Sequence, residues 1–191
     1  MIRITDDRTK AFIFRFVQML LSILQFSLGI VTTIYAGNAD CAFNIITGIF
    51  GMSYYTALLF PYFVRRMSPA YILGSEIWLT AWWIMSLGIM AADYGPESCA
   101  LLRGKYLTGC ETGKALMGLA ISGLVESLAT LLLVLIKVIH PMVSNKVSLL
   151  NKGVFQLGAI FPTADINWVT DAENAHGAAT VDSEENKSFG S

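Results

Sequence analysis

The sequence predicts an all-α fold: a four-helix transmembrane bundle with cytosolic N- and C-termini and a disordered acidic C-terminal tail. Three observations predict it. Hydrophobic residues make up 54% of the 191 positions and charged residues 14%, against about a quarter charged in an ordinary soluble domain. Charge is sparse in four long apolar stretches and gathered between and after them. Lys and Arg then favour alternate connections, which orients the helices. The net charge of −1 offers no broad basic surface for nucleic acid.

A membrane-spanning helix needs about 20 mostly apolar residues. The first such stretch is 11–35. Its basic front and Ile34-Tyr35-Ala36 imitate a signal peptide with a cleavage site. The apolar region of about 25 residues exceeds the 7–15 of a signal sequence, so it reads as a retained helix. The second stretch, 39–64, follows the short link Gly37-Asn38-Ala39-Asp40. The third, 70–92, follows Arg65-Arg66-Met67-Ser68-Pro69. The fourth, 114–139, follows a longer connection over 93–113 and is expected to end at His140-Pro141, because proline cannot continue the hydrogen-bond ladder. Residues 1–10 then form a cytosolic N-terminus, 11–140 the four-helix domain and 141–191 a cytosolic tail.

Nine basic residues fall on the side shared by both ends: Arg3, Arg8, Lys10, Arg15, Arg65, Arg66, Lys137, Lys146 and Lys152. The other side carries Arg103, Lys105 and Lys114, offset by Asp93, Glu97 and Glu111. The excess places both termini in the cytosol. After the fourth helix, 154–160 is too short to span and is expected to lie on the membrane surface or against the bundle. Beyond about 163 the chain is acidic and rich in Ala, Asn, Ser and Gly, the composition of a disordered tail. The sequon Asn186-Lys187-Ser188 is then on the wrong side of the membrane for glycosylation.

Polar residues within hydrocarbon need partners. Glu126 lies near the middle of the fourth stretch and Gln25 at a similar depth in the first. A protonated Glu126 bonded to Gln25, Ser122 or Thr130 would serve as polar glue between helices. The rival reading, a proton relay, needs a chain of titratable groups, and Glu126 is the only one at that depth. Glu76 and Arg15 lie at matching depth near the cytosolic side, where they either pair or snorkel separately to the interface.

Cys99 and Cys110 share the outward connection, where an oxidising compartment favours a disulfide. Cys41, near the outer end of the second helix, is expected to be a packed thiol, the alternative being that it is the loop's partner. Helix contacts are expected at Gly48, Gly51 and Ser53 and at Gly118, Ser122 and Gly123, with Gly118 and Ser122 four apart on one helix face. Trp78, Trp82 and Trp83 sit inside the third helix as packing or lipid contacts, with a sterol or sphingolipid groove as one reading.

No CxxC, Cys/His cluster, HExxH, phosphate loop or GxSxG occurs, and His140 and His176 are far from the cysteines in sequence. No catalytic residue, cofactor or metal site is therefore expected. A thiol oxidoreductase using Cys99 and Cys110 lacks the motif that chemistry needs.

Residues 8–140 resemble MARVEL-domain proteins, especially the fungal plasma-membrane branch. The resemblance rests on Glu76-Ile77-Trp78, Ala81-Trp82-Trp83, Gly88 and Ala91-Ala92 leading to Cys99, and on Cys110 followed by Lys114-Ala115. Glu126 and the clustered tryptophans depart from the pattern, and the claudin and tetraspanin signatures are absent. The resemblance implies a non-catalytic membrane organiser or trafficking protein. Its implied partners are membrane lipids, sterol or sphingolipid among them, and other membrane proteins or copies of itself. The alternative class is a small proton-coupled transporter using Glu126.

Overall fold

In hydrocarbon a chain must satisfy its own backbone hydrogen bonds, which an apolar stretch does by closing into a helix. The computed structural model describes residues 3–36, 40–96, 98–146, 148–150, 154–155 and 158–162. Its elements are α1 (Arg3–Ala36), α2 (Cys41–Leu59), α3 (Pro61–Val64), α4 (Pro69–Tyr94), a 3-10 turn (Cys99–Leu101), α5 (Lys105–Val134), a π-helical turn (Leu135–Ile139) and α6 (His140–Ser144). Among the described residues four helical stretches are long and apolar enough to cross a membrane: Thr9–Tyr35, Cys41–Leu59, Pro69–Tyr94 and Lys105–Ser144. The chain is thus a multi-pass membrane protein. Among the described residues the only extended pairing is the isolated antiparallel bridge between Phe155 and Pro162.

The helices close into a ring. α1 packs along α2 and α5, α4 packs along α5, and the contact between α2 and α4 is the thinnest side. The face that α1 turns inward is Ala11, Arg15, Gln18, Ser22, Gln25, Gly29 and Thr32. These positions alternate steps of four and three, the spacing of a seam between packed helices. Phe12, Ile13, Leu20, Ile23 and Leu24 face outward. α1 thus buries small and polar side chains and shows apolar ones to the outside, as expected where lipid tails are as apolar as leucine.

The predicted boundaries need correction in four places. α1 begins at Arg3, so residues 3–10, expected to precede the first helix, are helical and continuous with the first span. The second stretch breaks at Phe60, whose extended backbone (φ −97°, ψ 120°) is what a following proline imposes, and Pro61 opens α3. The connection expected over 93–113 is shorter, because α5 starts at Lys105. Cys110 therefore sits on a helix and not in the loop.

The fourth correction concerns Pro141, which does not end the helix. The chain stays helical to Ser144. The π-helical turn over Leu135–Ile139 widens the backbone just ahead of the proline, which relieves the clash its ring would make with the carbonyl four residues back.

α4 is well started: Ser68 accepts a hydrogen bond from the Tyr71 amide at 3.3 Å, and Pro69 occupies the first helical turn, where its missing N–H costs nothing. Of the two placements expected for 154–160, the described part packs against the bundle. Val154, Phe155, Ala159 and Ile160 are buried. Val154, Phe155 and Ala159 join a core with Leu58, Val64, Ile72, Val138 and Met142. The acidic stretch beyond 163 and its sequon lie outside the described residues.

Candidate functional site

The interior forms a ladder of polar contacts. At its base Arg15 and Glu76, both fully buried, form an ion pair with Nη2 and Oε1 2.6 Å apart. Four neighbours complete the shell, one of them Thr130, whose hydroxyl donates to Glu76 Oε2 at 3.4 Å. Tyr54 donates its hydroxyl to Glu76 Oε1 at 3.0 Å. Arg15 Nη1 donates to Gln18 Oε1 at 2.8 Å. Arg15 Nε donates to the Gly158 carbonyl at 2.8 Å. The Arg15 guanidinium also lies 5.9 Å from the Tyr54 ring centroid and 5.8 Å from that of Tyr55, within cation–π range. A lone charge here would cost several kcal/mol, so the pair and its shell stand or fall together.

The Gly158 contact follows from the break in α2. Where Phe60 leaves helical geometry, the Leu58 carbonyl loses its partner in the next turn and instead accepts from the Gly158 amide at 3.2 Å. Gly158 has φ +89°, and an added Cβ would lie 3.0 Å from the Ala11 side chain. Glycine therefore suits this close approach.

Higher rungs follow. Gln18 Nε2 donates to Thr130 Oγ1 at 3.2 Å. Thr80 and Ser127 share a hydroxyl hydrogen bond of 2.7 Å. Gln25 Nε2 donates to Asn44 Oδ1 at 2.6 Å and to Ser86 Oγ at 3.0 Å. Near the far end the Cys41 sulfur lies 3.6 Å from the Tyr94 hydroxyl. Between the rungs, small residues let the helices approach. An added Cβ at Gly48 would sit 2.7 Å from the Phe26 amide nitrogen, and one at Gly123 would sit 2.5 Å from the Trp83 ring.

Of the predicted residues, Arg15 and Glu76 meet, and the pairing reading holds over snorkelling. Cys99 and Cys110 are joined in a disulfide with Cα atoms 5.8 Å apart. Cys41 is a buried free thiol, so it is not the partner of either. Gly48 and Gly51 face α1.

Two expectations fail. Gln25 does not reach Glu126. It bonds to Asn44 and Ser86, while the backbone carbonyl of Glu126 stands level with Gln18, two turns away. Thr130 bonds to that backbone carbonyl, and the Glu126 carboxyl oxygen Oε2 is buried with no hydrogen-bond partner among the described residues. The second failure is the face of Gly118 and Ser122, which points outward, with no atom of the described residues within 4 Å of an added Cβ at Gly118. Gly123, also expected as a contact, does pack, and so do Gly109, Gly113, Ala120 and Ser127 of α5.

The tryptophans divide. Trp83 is buried, Trp82 stacks on Phe43 with centroids 4.5 Å apart, and Trp78 is 59% exposed. Gln18, Asn44, Ser86, Ser127 and Gly158 were missed from the sequence. The polar 4-3 spacing of Arg15, Gln18, Ser22 and Gln25 was the available signal for the first of them. Among the described residues no three His, Cys, Asp or Glu side chains gather into a metal-binding group. No protein-family model, curated protein or solved structure matches the chain.

Proposed function

We propose that this chain is a non-catalytic, MARVEL-like organiser of membrane domains or membrane traffic, acting by lipid and helix–helix contacts. Both ends lie in the cytosol, and the plasma membrane is the favoured compartment. The inward-facing polar ladder carries this reading. Its groups are largely spent on one another at the helix interfaces, so the surface left for work is the apolar exterior. The basic residues of 1–15, 65–66 and 137–152 support the orientation. A tagged copy imaged beside markers of membrane patches tests it. Clustering with the patches, and their loss on deletion, is the expected result. Uniform distribution with no effect of deletion counts against it, and so does labelling of either terminus from outside intact cells.

A second reading, a small proton-coupled carrier using Glu126, draws on its Oε2, unpartnered among the described residues, near the middle of the Lys105–Ser144 span. Glu126→Gln discriminates, since Gln occupies the same space without titrating. Under the organiser reading the variant localises and assembles normally. Under the carrier reading it abolishes proton-linked uptake into vesicles.

A further inference from the structure

Where α2 and α4 part, a cleft of about 520 Å³ opens in the outer wall of the bundle. We propose that it binds one anionic phospholipid, with an acyl chain in the cleft and the headgroup at Arg65 and Arg66. The proposal deepens the reading above and rests on it in one respect, that α2 and α4 sit in lipid. Phe50, Tyr54, Tyr71, Gly74 and Trp78 line the cleft. Water does not fill an apolar cleft of this kind, and an empty one forfeits the dispersion contacts of its lining. A flexible hydrocarbon chain restores them. The middle of the cleft is open where such a chain would run, since an added Cβ at Gly74 meets no atom of the described residues within 4 Å.

The charge pattern selects the headgroup. Met67 and Tyr71 line the cleft, and Arg65 and Arg66, both exposed, immediately precede Met67. Residues 41–75 contain no Asp or Glu. The next acid, Glu76, is taken up by Arg15. The other acid of α4, Asp93, stands at its opposite end, so no acid of the two helices that form the cleft lies near the two arginines. The Arg66 guanidinium is braced over the Tyr62 ring at 4.3 Å. Guanidinium forks match phosphate and carboxylate, and basic sites between membrane helices hold anionic headgroups. A second copy of the chain fits less well, because a symmetric contact through this cleft would bring both Arg65-Arg66 pairs together.

The test uses the full-length protein reconstituted into phosphatidylcholine vesicles. Bromine-labelled phosphatidylserine or bromine-labelled phosphatidylcholine is added, and tryptophan fluorescence is read. The Trp78→Phe variant isolates the emission that arises in the cleft. The expected result is that the serine lipid quenches this emission at a lower mole fraction, by about fivefold for each arginine. Arg65→Gln with Arg66→Gln removes the preference. Gly74→Leu, which fills open space, removes the selective quenching without lowering the melting temperature.

Equal quenching by the two lipids overturns the proposal, as does selective quenching that survives Gly74→Leu. A Gly74→Leu protein that changes from dimer to monomer also overturns it and assigns the cleft to a second copy. The vesicle result does not depend on patch imaging. Lipid selectivity with uniform distribution in cells keeps the site and sinks the organiser reading, and patch clustering without selectivity does the reverse.

Discussion

Arg15 and Glu76 show how little freedom a buried charge has. Each is held on several sides, by its counter-ion and by Tyr54, Gln18 and the Gly158 carbonyl. Removing one partner leaves the other charge buried and unanswered, which costs about 3–5 kcal/mol, whereas replacing both with apolar residues of similar size is often neutral. Arg15→Met or Glu76→Leu alone should therefore lower the melting temperature in detergent sharply. The double variant should recover most of the loss. Additive single effects would show that the pair is not coupled.

The depth match of Arg15 and Glu76 was legible in the sequence, because each charge lies a countable number of residues from a helix end. The hydrogen bond from Arg15 to Gly158 was not. It spans 143 positions of chain and depends on a carbonyl, which every residue has.

At the scale of the helix, which face is inward decides what a substitution does. Gly48 and Gly118 are both glycines in apolar spans, and both read as packing positions in the sequence. Gly48 meets the Phe26 backbone, and Gly118 meets open space. Gly48→Val should cost about 1–3 kcal/mol by overpacking. Gly118→Val should be near neutral, with any deviation small beside that of Gly48→Val. Thermal unfolding of the two purified variants in one detergent makes the comparison, and equal destabilisation would reverse the assignment of faces. The four-residue spacing of Gly118 and Ser122 identified a helix face but not its direction. Spacing within one helix says which residues share a side, and only the neighbouring helices say which side is buried.

At the scale of the molecule, the ring of helices is stapled by a covalent bond and by the segment around Gly158. α1 has 34 residues and Lys105–Ser144 has 40, lengths of about 50 and 60 Å at 1.5 Å per residue. Both exceed the roughly 30 Å hydrocarbon core, so these helices extend into the polar layers. The disulfide ties the start of α5 to the turn after α4.

Cysteine accessibility follows from the same arrangement. A maleimide should label no cysteine in the native protein, because Cys41 is buried and Cys99 is bonded to Cys110. Unfolding without reductant should expose Cys41 alone, and reduction should bring all three into reach. Labelling of all three without reductant would remove the staple from the account.

The sequence by itself determined that four stretches become helices long enough to cross a membrane, and which intramembrane charges had to find partners. Both follow from local properties: the length of an apolar run and the cost of placing a charge in hydrocarbon. The tertiary structure alone decided that Gln25 meets Asn44 and Ser86 and not Glu126, that Gly118 faces out while Gly123 faces Trp83, and that the segment around Gly158 closes over Arg15. Those outcomes depend on how each helix is rotated and shifted along its axis against its neighbours. Within-helix spacing does not contain that information, since every rotation preserves it.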